Sequence, residues 1–274
     1  MMKNTICLII FIMLFVSCKM EKKTYHGSGN LEAVHLLLNG SKVDSSIYYK
    51  DNKYRDLDKI IHYLSDSSQY NVYYNDSKEI SKEGATIKEG NRVGKWKFYK
   101  KDHDSIVEYK NINSSTYVNQ IWTISKTKDT LPFKKSNYFS FFKGGKDTVI
   151  TGSVLKINMM LVEPFYSYDT DIEVLIPFND KELKDDFSNI NEIKLDTFKS
   201  LKNDGISDIG ISKDVPVNQI AEFGIKYKTS GKKRIRGVLI EYYKENATRR
   251  IERRLFFDEI IFVKPDGADI STQK

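Results

Sequence analysis

The sequence predicts a mainly β protein with short helices near the N-terminus, a sheet of antiparallel hairpins in the middle, and a β-sandwich in the last third. Alternation is the first observation, since apolar or aromatic residues alternate with charged residues or glycine from Ala221 to Lys228. A period of two is typical of a strand with one buried face. The second observation is that Pro164, Pro177 and Pro216 lie between or at the ends of apolar runs, where strands tolerate proline.

An apolar leader opens the chain. After Lys3, an apolar run extends from Ile6 to Val16 and is followed by Ser17 and Cys18. Its length is typical of a secretory signal, because a membrane-spanning helix needs about 20 apolar residues. A small residue before cysteine at the end of such a run resembles the lipobox of bacterial lipoproteins, which are common in the envelopes of Bacteroidetes-type bacteria.

The lipobox resemblance implies a signal peptide at 1–17 and a lipid attached to Cys18. The expected location is therefore the bacterial cell envelope, with the protein anchored in a membrane, most naturally the outer membrane. An uncleaved signal anchor and an ordinary cleaved signal are the alternatives. Cys7 would leave with the leader, so the mature chain would contain no free thiol, no disulfide and no thiolate metal site.

Charge gives a second expectation about partners. The chain has 44 Lys and Arg against 37 Asp and Glu, a formal net charge of +7, with both signs interspersed. An exported location and the lack of any recognisable nucleic-acid-binding pattern predict no nucleic-acid partner.

The segment after Cys18 is predicted to begin with a tether and two short helical candidates. Residues 18–30 are polar with two glycines, which favours a tether without fixed structure. The run 31–38 ends at Asn39-Gly40 and fits a helix with a C-cap, although it fits a buried strand equally well. A second helix is predicted from an Asp51-Asn52 start. Its apolar residues recur at helical spacing: Tyr54, Leu57, Ile60, Ile61 and Leu64.

From Val72 to about Phe142 the pattern alternates, and the segment 89–99 carries a family resemblance. Gly94, Trp96 and Tyr99 match the Gly-x-Trp-x-x-Tyr core of MORN-variant repeats, which are β-hairpin units with antitoxin-like members. A weaker second unit is suggested at 119–124. The resemblance spans about 60 residues within the predicted region 31–142 and implies protein or membrane contacts without catalysis. Trp96, Phe98 and Tyr99 fit core packing, or else an exposed stacking platform for a sugar or peptide.

The last third, 146–264, is predicted to be a sandwich that follows a Gly144-Gly145 hinge and precedes a tail at 265–274. Seven runs read as strands: 149–162, 170–178, 192–198, 205–211, 218–228, 232–243 and 249–263. The aromatic strand before the turn Thr229-Ser230-Gly231 and the strand after it resemble the penultimate hairpin of immunoglobulin-like domains of the PKD kind. This implies an immunoglobulin-like sandwich without its cysteine pair.

Charged clusters give two further candidate sites. Basic residues begin two successive strands: Lys232, Lys233, Arg234 and Arg236, then Arg249, Arg250, Arg253 and Arg254. They fit protection of strand edges, or else an anion site. The acidic segments 169–171 and 180–186 are candidates for calcium but lack the ligand spacing of an EF-hand.

Catalytic patterns are not found in the sequence. Histidines 26, 35, 62 and 103 are scattered, and no serine elbow, phosphate loop or zinc motif is present. We therefore expect no enzyme activity, no cofactor and no metal. The expected function is a lipid-anchored binding or structural module that contacts another envelope protein or a glycan. The alternative is a polysaccharide-processing hydrolase or a glycan-binding accessory protein.

Replacing Cys18 by Ala tests the anchor. Acyl chains contribute about 0.8 kcal/mol per buried methylene, so two or more chains hold a protein firmly on a membrane. We expect the Cys18→Ala variant to move to the soluble fraction or to accumulate as uncleaved precursor, measured by fractionation and palmitate labelling. Palmitate labelling that persists in the variant would exclude Cys18 as the lipid attachment site.

Overall fold

The structure is a computed structural model of a mainly β protein. It describes residues 20–266 apart from 39, 41, 88–89, 127–135, 143–147, 168, 179–181, 207–214 and 247–248. The predicted leader, Cys18, the glycine hinge and most of the predicted tail lie outside the described residues. The chain forms two compact units, 1–100 and 101–274. Within the described ranges, no helix is long and apolar enough to cross a membrane.

Unit 1 is an antiparallel meander in which each strand pairs with the next along the chain. The described residues of unit 1 contain the strands β1 (Met20–Tyr25), β2 (Leu31–Leu38), β3 (Lys42–Tyr49), β4 (Leu57–Ser65), β5 (Ser68–Tyr74), β6 (Ile80–Ile87) and β7 (Arg92–Tyr99). Connections of this kind are short because antiparallel neighbours need only a tight turn.

The two helices predicted near the N-terminus are strands. The run 31–38 is β2, its alternative interpretation, and the apolar residues from Leu57 onward lie in β4. Ile60 and Ile61 point to opposite faces of the sheet, so apolar residues on both faces imitate helical spacing. The predicted helix start is a turn instead, in which the Asn52 side-chain oxygen accepts the N–H groups of Tyr54 and Asp56.

The predicted tether is also partly structured. Residues Met20–Tyr25 form β1 and pair with β2 in antiparallel register from Met20 opposite Leu37. Backbone pairing to an apolar neighbour does not depend on the side chains of β1, which are mostly polar and exposed. The amino-acid composition of Met20–Tyr25 therefore does not predict a strand.

A repeat of 24 or 25 residues runs through unit 1. Tyr25, Tyr49, Tyr74 and Tyr99 are the last residues of β1, β3, β5 and β7, and a polar turn follows each of them. One repeat is therefore a two-stranded unit, and neighbouring units stack side by side. The spacing of these four tyrosines can be read in the sequence, but none of the sequence-based predictions uses it.

Trp96 is the largest buried side chain of unit 1, with 1% of its surface exposed. Its Nε1 donates a hydrogen bond to the Ala85 carbonyl at 2.7 Å. Gly84 lies beneath the indole, and a Cβ there would come within 2.4 Å of the ring. Gly94 has a φ of +65°, which lets the strand bulge and bring Trp96 over Gly84. Of the two predicted roles of Trp96, the structure therefore favours packing.

Unit 2 contains a hairpin and two sheets. The hairpin joins β8 (His103–Ile112) to β9 (Ser115–Ser125). The other strands are β10 (Phe139–Phe142), β11 (Thr148–Ile150), β12 (Val154–Leu161), β13 (Asp171–Pro177), β14 (Leu195–Lys199), β15 (Ile220–Lys226), β16 (Gly231–Lys244) and β17 (Arg250–Lys264). One sheet has the order β10-β12-β15, and the other has the order β11-β17-β16-β13-β14, with β11 parallel to β17.

The two sheets of unit 2 share one hydrophobic core. Side chains of β12 and β15, such as Ile157, Met159 and Phe223, contact those of β13, β16 and β17. The other side of the five-stranded sheet is covered by the segment 182–194, which packs Phe187 against Phe256. Strand β16 is therefore buried on both of its sides.

Strands occur in six of the seven runs predicted for the last third. The seventh, 205–211, is not a strand at Gly205 and Ile206, and its remainder lies outside the described residues. The predicted hairpin around Thr229-Ser230-Gly231 is wrong in one respect. Strands β15 and β16 belong to different sheets, so this turn carries the chain across the core.

Truncating Trp96 tests its structural role. Trp96→Ala removes a buried indole and leaves a cavity over Gly84, which costs about 3–5 kcal/mol of unfolding free energy. We expect a clearly lower melting temperature by circular dichroism. Lys95→Ala, an exposed change on the same strand, is the control and is expected to alter stability by less than about 0.5 kcal/mol. A Trp96→Ala protein that melts like the parent would contradict a packing role.

Candidate functional site

A cavity of about 530 Å³ opens to solvent within unit 2. It combines residues that are far apart in the sequence: part of β9, the connection between β12 and β13, and the first half of β17. The lining residues are Tyr117, Val118, Ile121, Phe165, Tyr166, Glu252, Arg253 and Arg254. Aromatic rings and a guanidinium group therefore meet in one open pocket, an arrangement typical of ligand sites.

Glu241 lies behind the pocket in β16 and is 0% exposed. Its Oε1 accepts the backbone N–H groups of Phe165 at 2.5 Å and Tyr166 at 3.2 Å, and its Oε2 accepts the Asn137 amide at 3.4 Å. Burial raises the pKa of the Glu241 carboxyl group, while the two N–H donors oppose that shift. The carboxylate thereby fixes the backbone of the β12–β13 connection.

Arg253 lies opposite Glu241 in the register of β16 and β17. Its Nη2 donates to the Asn119 carbonyl at 3.0 Å, and the Phe165 ring centre lies 5.0 Å from the guanidinium carbon. Its Nη1 is buried and has no hydrogen-bond partner among the residues that the structure describes. Burial lowers the pKa of the guanidinium group, and the nearby Tyr117 hydroxyl and Glu241 carboxylate counteract this shift.

Asn119 attaches β9 to β17 and so fixes one wall of the pocket. The side chain is 0% exposed, its Oδ1 accepts the Phe256 N–H at 2.7 Å, and its Nδ2 donates to the Phe256 carbonyl at 2.8 Å. Tyr117, on the same strand, donates its hydroxyl to the Arg254 carbonyl at 2.7 Å. The Asn119 side chain thus satisfies both the N–H and the carbonyl group of Phe256, as a neighbouring strand would do in a sheet.

The pocket is suited to an acceptor group, because the Arg253 Nη1 has no partner among the described residues and aromatic surface surrounds it. Acid–base chemistry has less support. Glu241 is held by two backbone amides, and Glu252, at the edge of the pocket, lies 3.1 Å from Arg254 and 3.5 Å from Arg250. The two backbone bonds occupy both lone pairs of the Glu241 Oε1 atom, and Glu252 forms ion pairs with two arginines.

The sequence-predicted candidates are not brought together here. Cys18 lies outside the described residues, Trp96 is buried in unit 1, and Trp122 is half-buried in unit 2, with its ring 5.8 Å from that of Tyr138. Phe98 and Tyr99 are half-buried in β7. The Tyr99 hydroxyl donates to Glu83 at 2.6 Å.

Because β16 and β17 form a hairpin, the two basic groups lie at its opposite ends. Most of these cations form ion pairs. Arg234 and Arg236 contact Asp258, Arg250 contacts Glu173, and Arg249 contacts Glu245. Arg236 also donates to the carbonyls of Leu183 and Asp185, which attaches the covering segment 182–194 to the sheet. Of the eight cations, Arg253 and Arg254 line the pocket.

Among the described residues, no three His, Cys, Asp or Glu side chains lie close enough to hold a metal ion. In the acidic segments, Asp185 pairs with Arg234, and Asp186 accepts the Ser188 N–H, which lowers its pKa. Residues 180 and 181 of the candidate calcium segment 180–186 lie outside the described residues.

Glu241, Phe165 and Tyr166 were missed by sequence reasoning. One signal was available, because Glu241 follows Val238-Leu239-Ile240 and precedes an aromatic pair in the predicted strand 232–243. A lone acid in such a run requires a buried partner and therefore marks a site. Comparison with models of known protein families gives no match, and no curated protein matches the chain.

Changes at Glu241 test its role behind the pocket. Glu241→Leu leaves the N–H groups of Phe165 and Tyr166 without an acceptor and Arg253 without a counter-charge, at a cost of about 3–5 kcal/mol. Glu241→Gln retains an acceptor oxygen, so we expect a smaller loss in chemical denaturation.

The pH dependence gives an independent readout for Glu241. Because its folded-state pKa is raised, the folded state binds more protons than the unfolded state between the ordinary and the raised pKa. Stability should therefore fall as pH rises through that window in the parent and should not do so in Glu241→Gln. Equal pH profiles for the two proteins would contradict the buried, raised-pKa carboxyl group.

Proposed function

We propose that this protein is a lipid-anchored, non-catalytic binding protein of a bacterial cell envelope, with the unit 2 pocket as its ligand site. The single observation that carries the binding role is the buried Arg253 Nη1, which has no hydrogen-bond partner within the described part of the chain and lies beside open aromatic surface. A buried donor without an acceptor costs about 1–3 kcal/mol, and an anionic ligand that reached it would recover part of that cost.

The ligand class follows from the lining of the pocket. Tyr117, Phe165 and Tyr166 present rings, and Arg253 presents a cation that is largely shielded from water. An acidic group on an aromatic or apolar body fits both features, since the rings cover its apolar part and the guanidinium pairs with its charge. Phe165 is 60% exposed, so its ring has room to move aside and uncover the guanidinium.

The membrane anchor is supported by the sequence at Ser17-Cys18. Strand β1 begins at Met20, only two residues later. Two residues span about 7 Å at most, so a lipid on Cys18 would hold unit 1 close to the membrane surface. Contact with envelope components would then be the natural task of the protein.

The finer domain assignment belongs to the same proposal. The 24–25-residue repeat and the Gly94, Trp96 and Tyr99 pattern support a MORN-like unit 1. The strand orders β10-β12-β15 and β11-β17-β16-β13-β14 support an immunoglobulin-like unit 2, because the chain crosses several times between two sheets that enclose one core, as in that fold. Both assignments fit a contact function.

The alternative of a polysaccharide hydrolase has weaker support. Such enzymes use two carboxyl groups that face one cleft. Glu252 is the one carboxylate among the residues that line the described pocket, and it lies beside Arg250 and Arg254. Release of reducing sugar from a polysaccharide by the purified protein would favour the alternative.

Binding of benzoate tests the pocket, with uncharged benzamide as the matched probe. We expect benzoate to bind detectably by saturation-transfer NMR and benzamide to bind much more weakly. Arg253→Gln should abolish the difference because it removes the cation, and Phe165→Ala should weaken benzoate binding without unfolding, since this ring is largely exposed.

Arg249→Gln is the charge control for the benzoate experiment. It removes a cation at the start of the same hairpin strand, outside the pocket, where Arg249 pairs with Glu245. We expect unchanged benzoate binding in this variant. Equal benzoate binding by the parent, Arg253→Gln and Phe165→Ala would exclude this pocket as the ligand site.

A further inference from the structure

One row of side chains crosses unit 1 and alternates aromatic residues with lysines. The cross-strand register places Tyr48 opposite Lys59, Lys59 opposite Tyr73, Tyr73 opposite Lys82, and Lys82 opposite Phe98. These five residues, one each from β3 to β7, are called the ladder below. All five are half-buried, so each also presents part of its surface to solvent.

Cations cover the rings of the ladder. The Lys59 ammonium lies 4.7 Å from the centre of the Tyr48 ring, and the Lys82 ammonium lies 4.4 Å from that of Tyr73. The Arg92 guanidinium lies 4.7 Å from the Trp96 ring and 5.5 Å from the Phe98 ring. The aromatic rings thus hold the cationic groups in fixed positions along this face.

The part of the ladder face that β4–β7 form has one sign of charge. Three successive rows across β4–β7 share this face, and none of their positions is Asp or Glu. The rows are Lys59, Tyr73, Lys82 and Phe98; Ile61, Asn71, Gly84 and Trp96; and Tyr63, Gln69, Thr86 and Arg92. Among the described residues, Lys59 and Lys82 make no ion pair with a carboxylate. On the opposite face, by contrast, Lys97 lies 3.7 Å from Glu83.

We propose that the ladder face of unit 1 binds a linear acidic polysaccharide. Lys59 and Lys82 lie on strands that are separated by β5, so their backbones are about 9.5 Å apart. This is close to the length of two linked sugar rings. A polymer with one carboxylate or sulfate per disaccharide therefore presents its charges at the interval of these lysines, while tyrosine hydroxyls and ring edges contact its sugars.

The covered rings argue for this polymer over other ligands. A nucleic acid strand would need open ring faces on which its bases could stack, but cations lie over Tyr48, Tyr73 and Trp96. A neutral polysaccharide would need the same open faces and would gain nothing from the ammonium groups. This proposal concerns a different unit from the pocket and does not depend on the pocket binding any ligand.

The test measures binding of hyaluronan oligosaccharides to the full chain in detergent by isothermal titration calorimetry. Hyaluronan carries one carboxylate per disaccharide, and neutral dextran of similar length is the matched probe. We expect hyaluronan binding that weakens as salt rises, because exposed charges are screened, and we expect no dextran binding. Lys59→Gln/Lys82→Gln should weaken hyaluronan binding about tenfold, since two exposed charge contacts are lost.

Two further variants separate binding from folding. Lys59→Arg/Lys82→Arg retains both charges and both ring contacts and should bind hyaluronan nearly as the parent does. Lys23→Gln/Lys97→Gln removes two lysines from one row of the opposite face and should leave binding unchanged. All variants are compared by thermal melting, so that a loss of fold is seen directly.

Several outcomes would overturn the proposal. These are equal affinity for hyaluronan and dextran, undiminished binding by Lys59→Gln/Lys82→Gln, equal losses in the opposite-face variant, or no hyaluronan binding at low salt. Binding of oligo-dT or of vesicles containing anionic phospholipid, without binding of hyaluronan, would assign the face to a nucleic acid or to a membrane instead. Benzoate binding at the unit 2 pocket is scored separately, so either site can fail alone.

Discussion

The buried carboxylate of Glu241 is the constraint on which the unit 2 pocket depends. An acid removed from water must receive hydrogen bonds, and two of its donors are backbone amides of the β12–β13 connection. Those bonds fix Phe165 and Tyr166 at the pocket, and the opposite position in the register brings in Arg253. Asn119 then holds the remaining wall through both backbone groups of Phe256. The buried Glu241 carboxylate thus helps to position Phe165, Tyr166 and Arg253 at the pocket.

The two units differ in how their side chains are shielded from solvent. Unit 2 has two sheets around a shared core, so charges near that core, such as Arg253, are shielded from solvent. The described strands of unit 1 form a meander, in which ring–cation contacts and the packing of Trp96 on Gly84 cover part of one face of the sheet. Because exposed charges are screened by salt more than buried charges are, binding at the ladder should depend on salt more strongly than binding at the pocket.

Much of unit 2 could be predicted from the sequence. Strands with one face toward a core alternate in hydrophobicity, and six of the seven predicted runs contain strands. Strands β2 and β4 were harder, because both of their faces carry half-buried apolar residues and the period of two disappears. Strand β1 has almost no apolar residues, and pairing with its neighbour decides its structure. The secondary structure predicted from the local sequence pattern therefore differs from the observed structure mainly in unit 1.

The sequence by itself determined the mainly β class, most of the strands in the last third and the candidate packing role of Trp96, since these follow from local alternation and turn residues. Only the tertiary structure decided which sheet each strand joins, and so that β15 and β16 lie across a core from each other. It alone brought together Tyr117, Phe165, Glu241 and Arg253, which are separated by up to 136 residues. Such a site depends on the cross-strand register and on buried charge, and neither of these produces a periodic pattern of residues in the sequence.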